Sequence, residues 1–151
     1  MEQIIQLNSN AKLSEHFKLG EMTRSNSHPE VYNIPTHEAI ANLKRVCEWL
    51  EVLRERAGGP IRINSGYRSP QLNKKVGGVP TSNHLTGCAV DIRVTDMGQL
   101  IRYAAIIMDY ADESHQDFDE ILIEKNRYGA IWLHFAVRPN GNRRKVSFIN
   151  A

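Results

Sequence analysis

Three side chains are out of keeping with their surroundings. Asp91 lies in the run Cys88–Val94 (CAVDIRV), between Ala89, Val90 and Ile92. An unpaired carboxylate facing the interior of such a strand would be costly. His134 lies in Ile131–Val137 (IWLHFAV), where alternation puts Ile131, Leu133, Phe135 and Val137 on one face. Trp132, His134 and Ala136 then share the other face. His84 stands seven residues before Asp91, near the end of a long irregular stretch. Two histidines and one carboxylate, with a fourth position left to water, form a catalytic zinc set. The spacing alone does not choose that reading. Asp91 could pair with Arg93 or Arg62, and His134 could be a hydrogen-bonded sheet histidine. His16, His28, His37 and His115 match no ligand spacing and read as surface or loop residues, with His16 packing in the N-terminal segment.

The elements that must position these residues follow from local signals. Residues 1–12 read as an arm or short strand, and a segment opens at Ser14 within Leu13–Met22. Ser25–Pro35 is loop-rich in composition. Thr36 is an N-cap, and Ile40, Leu43, Val46, Cys47, Leu50 and Leu53 then recur at helical spacing until Gly58-Gly59-Pro60. Ile61–Ser65 alternates as a strand, and Gly66–Leu85 reads as a long irregular loop, a class that is usually functional or disordered. Cys88–Val94 is a strand. Thr95 or Asp96 caps a helix over Met97–Asp112. Phe118–Lys125 and Ala130–Val137 flank a turn at Asn126–Gly129, and Lys145–Ile149 adds a last strand. Helices first and strands later predict an α+β domain, with N-terminal helices packed on a small, mainly antiparallel sheet.

Composition narrows the function classes. The chain has 151 residues, 41% hydrophobic and 24% charged, with a formal net charge of +2. That excludes a disordered chain, a fibre and a coiled coil. So mild a balance gives no reason to expect a nucleic acid or a membrane as partner. Cys47 and Cys88 could form one bridge by count; they read as free, buried thiols. With no CxxC pair, a metal must use histidine and carboxylate. No signal-peptide pattern opens the sequence, so the expectation is a soluble, monomeric protein that starts in the cytoplasm.

The stretch Ser65–Asp91 (SGYRSPQLNKKVGGVPTSNHLTGCAVD) carries a more specific signal. With Trp132-x-His134, and with Leu13-Ser14-x-His16-Phe17, Glu21-Met22, Ser25 and Asn33-x-Pro35 upstream, it resembles the zinc D-Ala-D-Ala carboxypeptidase family. The resemblance is to its short, single-domain phage and bacterial members, and it runs from about Leu13 to Val137. It implies a peptidase domain over 13–151 preceded by the arm at 1–12. It implies zinc held by His84, Asp91 and His134, and a peptidoglycan peptide as substrate. Arg68 would lie beside the metal and bind or polarise the substrate; as an alternative it merely fixes the loop. Ser82, Tyr67 and Trp132 are the other substrate-side candidates, each with a packing or turn role as its alternative. An export route, or action on the wall as a phage endolysin-like enzyme, would then be needed.

The sequence departs from the better-known members at one position. They place an acidic general base three residues before the last histidine, where this chain has Ile131. If Ile121 and Ile123 share the core face with Leu133, then Glu120, Leu122 and Glu124 share the face of His134. Glu124 is the first candidate for the base and Glu120 the second; either could instead be a solvated edge carboxylate. Asp119 is assigned to the strand start. Three functions compete: a zinc peptidase cutting stem peptides or cross-links, a non-catalytic zinc-containing wall-binding module, and a metal-free assembly domain.

Overall fold

A computed structural model describes residues 8–151. Its sheet contains β1 (Ile63–Ser65), β2 (Ala89–Arg93), β3 (Glu120–Lys125), β4 (Ile131–Ala136) and β5 (Lys145–Asn150), in the order β1-β2-β4-β3-β5. Every pairing is antiparallel except that of β3 with β5. Four helices accompany it: α1 (Leu19–Thr23), α2 (His37–Ala57), α3 (Pro70–Lys75) and α4 (Met97–Ser114). The architecture is the expected α+β fold. None of these helices is long and apolar enough to cross a membrane.

α2 forms where the sequence places it. Thr36 Oγ1 accepts the Ala39 N–H at 3.1 Å, and Gly58 ends the helix in the left-handed region at φ 77°. Leu43, Val46, Cys47, Leu50 and Leu53 are buried along one stripe. Full burial of each large aliphatic contributes about 1.5–3 kcal/mol relative to exposure. α4 is capped by Asp96, whose side chain accepts from Gln99 N–H at 2.8 Å. Both helices join one core with Val90, Ile92, Ile121, Ile123, Leu133 and Phe135 of the sheet. Trp49 of α2 closes it, its ring 4.9 Å from Tyr110 and 5.7 Å from Phe135. Cys47 and Cys88 are free and buried, and burial pushes the Cys47 thiol up to about 12.

Some expectations need correction. The segment opening at Ser14 is a tight turn followed by α1: the Leu13 and Ser14 N–H groups both donate to Phe17 O. The long irregular stretch contains α3, with Ser69 as N-cap and Pro70 in the first turn, and a 3₁₀ turn at Asn83–Thr86. Ser69-Pro70 and Ser82 are the local signals for these two turns, within a stretch that the glycines and Pro80 mark as irregular. The arm expected over 1–12 lies outside the described residues up to residue 7. His16 lies against α2, its Nδ1 2.6 Å from Glu51 Oε1.

Candidate metal centre

Asp91 and His134 meet because β2 and β4 pair in register. Asp91 is directly opposite His134, and on the far side of β4 His134 is opposite Leu122. The face they share is the one turned away from the core helices, yet Asp91 and His134 are each only 6% exposed. The loop between β1 and β2 lies over this side and delivers His84, which is 2% exposed. Ser82 Oγ caps the 3₁₀ turn by accepting His84 N–H at 3.1 Å, and His84 O accepts Arg68 N–H at 3.0 Å. The turn ends at Gly87, with φ 76°, where a Cβ would lie 2.5 Å from Ala39 O of α2. Glycine therefore allows both the left-handed cap and the close approach that sets His84 down.

The hydrogen bonds fix which atoms face one another. His84 Nδ1 donates to Gly66 O at 2.7 Å, since a carbonyl can only accept. Its Nε2 then points at Asp91 Oδ1, 3.2 Å away. His134 Nε2 faces Glu120 Oε1 at 3.0 Å, and its Nδ1 faces the same Asp91 Oδ1 at 3.2 Å. Asp91 Oδ2 is taken by Arg68 Nη2 at 3.1 Å. Each imidazole thus has one nitrogen anchored to an acceptor and the other aimed at one carboxylate oxygen.

Titration follows from that arrangement. Burial holds His84 below the usual imidazole range despite the Asp91 charge. Burial also opposes ionisation of Asp91, but the two imidazoles hold its carboxyl well below the usual range. His134 moves the other way: burial disfavours its charge, while the hydrogen bonds to Asp91 and Glu120 raise it to about 9. The metal-free cluster therefore favours a charged His134, with an Nδ1 proton facing Asp91 Oδ1. Removing that proton leaves lone pairs on His84 Nε2, Asp91 Oδ1 and His134 Nδ1 converging on one point. The three residues offer ligand atoms within 4.8 Å of one another. Two imidazoles and one carboxylate fit zinc.

A family description, Peptidase M15, matches residues 15–118, about two thirds of the chain. The chain belongs to the Peptidase M15 family. Among relatives of this M15 chain, the zinc D-Ala-D-Ala carboxypeptidase of Streptomyces albus G is 31% identical over 97 residues. Those residues are 64% of this chain but 38% of the relative, so the M15 chain spans well under half of that protein's length.

The other expected residues are distributed unevenly. Arg68 is brought to the cluster, with side-chain exposure of 14%. Its three nitrogens donate to Ser65 Oγ at 3.2 Å, Asn73 Oδ1 at 3.3 Å and Asp91 Oδ2 at 3.1 Å. Gly78 has no Cβ to displace Asn73 Oδ1 from that position. Ser82 serves as the cap described above, and Tyr67 packs in the core. Trp132 pairs with Glu124 and Arg93 across its two neighbouring strands. Its indole Nε1 is buried and meets no acceptor at full hydrogen-bond geometry, but it lies near enough to Glu124 to favour that carboxylate. Glu124 Oε1 lies 3.8 Å from His134 Nδ1, the nitrogen facing the cluster. Burial, with the Asp91 charge added, raises the Glu124 carboxyl. Glu120 is on the opposite edge of the same ring. Asp119 goes beyond the strand-start role: it is wholly buried and takes bonds from Asn83 and Arg143. Its partners lie far away in sequence, so no local pattern marks it.

Proposed function

We propose that this chain is a zinc peptidase hydrolysing peptide bonds of peptidoglycan stem peptides or their cross-links. The observation that carries the reading is the convergence of His84 Nε2, Asp91 Oδ1 and His134 Nδ1, with a further carboxylate, Glu124, on the cluster side of His134. The peptidoglycan substrate is supported by the name of the Streptomyces relative. His84, Asp91 and His134 would hold the ion. Zinc bound there supplies a Lewis acid that polarises a carbonyl and makes water acidic. Glu124 Oε1 accepts the proton that the attacking water gives up and passes it to the leaving amine. Burial suits it to that task, because a carboxylate raised towards neutrality is a better base and then a better acid. Arg68 holds Asp91 Oδ2 and so keeps Oδ1 turned to the cluster, and its remaining N–H groups can meet a substrate oxygen. Trp132, directly across from Glu124, would form a wall of the site.

The alternative is a zinc-holding wall-binding module without turnover. Ile131, aliphatic where better-known members carry the base, favours it. Zinc-loaded protein incubated with purified muropeptides, with products read by mass spectrometry, separates the two. A peptidase releases either terminal D-Ala or cleaved cross-links, and the products tell carboxypeptidase from endopeptidase. Stoichiometric zinc with unchanged muropeptides would establish the binding module instead.

A further inference from the structure

The residues after β4 reach back to the metal centre. Glu120 Oε1, the acceptor on His134 Nε2, also takes Asn83 Nδ2 at 2.7 Å, and Glu120 Oε2 lies 3.3 Å from Arg143 Nη2. Asn83 Nδ2 is shared with Asp119 Oδ2 at 2.8 Å. Arg143 binds Asp119 three times: its N–H and Nε donate to Oδ1 at 3.1 and 3.0 Å, and its Nη2 to Oδ2 at 2.9 Å. Arg138 completes the set, with Nε 2.8 Å from Asn83 Oδ1 and 3.3 Å from Asp119 Oδ2. Two adjacent carboxylates, Asp119 just before β3 and Glu120 at its start, are thus held in place by two arginines of the β4–β5 connection and by the asparagine next to His84. All of these residues except Asn83 lie beyond the segment matched to the family.

We infer that Arg143, acting through Asp119 and Glu120, is a positioning residue that fixes the tautomer and angle of His134 for metal binding. The inference rests on the metal reading proposed above. His134 can lend Nδ1 to a cation only if its proton sits on Nε2, and an acceptor fixed at Nε2 enforces that choice. A glutamate side chain has three rotatable bonds, so the acceptor is fixed only if its own oxygens are held. Asn83 holds Oε1 and Arg143 faces Oε2. Arg143 in turn is oriented by the buried Asp119, because a guanidinium fork on a carboxylate has a defined plane. The neighbouring Arg144 makes a natural comparison. Its Nε and Nη1 pair with Asp117 at 2.7 Å and Asp112 at 2.6 Å, away from the cluster.

The test is zinc affinity, measured by competition with a chromophoric chelator on the full chain. Loss of an outer partner of a metal-ligating histidine typically costs 10–100-fold in affinity. Arg143→Ala is expected to weaken zinc binding by about tenfold, towards the lower end because the arginine is half exposed. Arg143→Lys should restore part of it, and Arg144→Ala should match the parent. Asp119→Asn should fall with Arg143→Ala. Melting curves of the metal-free variants check the fold, and Arg143→Ala, at a half-exposed position, stays informative if Asp119→Asn does not fold. Nitrogen-detected NMR of the zinc-loaded parent should place the His134 proton on Nε2. Parent-like zinc affinity in Arg143→Ala, or an effect equalled by Arg144→Ala, overturns the inference. A parent that binds no zinc overturns instead the metal reading on which it rests.

Discussion

Replacing Glu124 with glutamine tests the proposed chemistry most directly. The two side chains are nearly the same size, so the half-buried position on β3 and the pairing with Trp132 should persist. What is lost is the ability to take a proton. Glu124 Oε1 is 3.8 Å from His134 Nδ1, beyond hydrogen-bond distance of that ring. Glu120, by contrast, is engaged by His134, Asn83 and Arg143. Removing a positioned general base typically costs 10²–10⁴-fold. At about 1.4 kcal/mol per factor of ten, that is roughly 3–5 kcal/mol of transition-state stabilisation. The assay is kcat/KM on a purified muropeptide, with zinc content measured on the same samples. Glu124→Gln should hold a full complement of zinc, lose turnover by that factor, and lose the acidic limb of the parent's pH profile. Glu120→Gln, at saturating zinc, should lose much less. If zinc-replete Glu124→Gln works within a few-fold of the parent, the base lies elsewhere and the role assigned to Glu124 is refuted.

Four further outcomes follow from the same geometry. His134→Ala should lose most of its zinc by elemental analysis. In the parent, zinc binding should release close to one proton at neutral pH and tighten as pH rises to about 9, because His134 carries a proton below that value and must shed it to bind. Arg68→Lys keeps the charge but not the three-way fork on Ser65, Asn73 and Asp91, and should cost about 10–100-fold in kcat/KM with zinc retained. Gly87→Ala should destabilise the fold by about 2–4 kcal/mol, since its φ is 76° and the new Cβ would meet Ala39 O; a melting temperature unchanged by the substitution would contradict that.

The parts of the fold legible in sequence are those set by neighbours in the chain. Thr36 and Gly58 bound α2 because capping is a local hydrogen bond and a local φ. Strand alternation put Leu133 and Phe135 in the core and His134 on the other face, and the observed register places Leu122 opposite His134 as that reading required. The parallel pairing of β5 with β3 was not legible, because parallel neighbours are chosen by the whole sheet and leave no turn signature. The expected site residues divide in the same way. Asp91 declared itself as an acid in an apolar run. Asp119 did not, since its partner Arg143 comes 24 residues later and an Asp at a strand start is unremarkable. Arg68 was read from its motif as a substrate group; its bond to the second oxygen of Asp91 required the β1–β2 loop to be folded in three dimensions.

In the proposed reading, the base that Ile131 cannot supply comes from across the sheet, on β3. His134 is opposite Leu122, so Glu120 and Glu124 occupy the two diagonal positions on the neighbouring strand. Diagonal neighbours are within reach of long side chains. An imidazole has its two nitrogens on opposite edges, and one glutamate meets each: Glu120 on Nε2, Glu124 towards Nδ1. Two residues of the same type on one face of one strand therefore have different chemistry. Glu120 is engaged by Asn83 and Arg143, which suits it to orienting the ring. Glu124 lies on the cluster side, where the proposed chemistry needs a base. An acid at position 131 could not be added to this arrangement without cost. Alternation turns that position towards the core, where Ile131 packs, and away from the cluster. In the proposed reading β3 carries both the residue that sets the tautomer and the residue that takes the proton, and β4 needs to supply only the ligand.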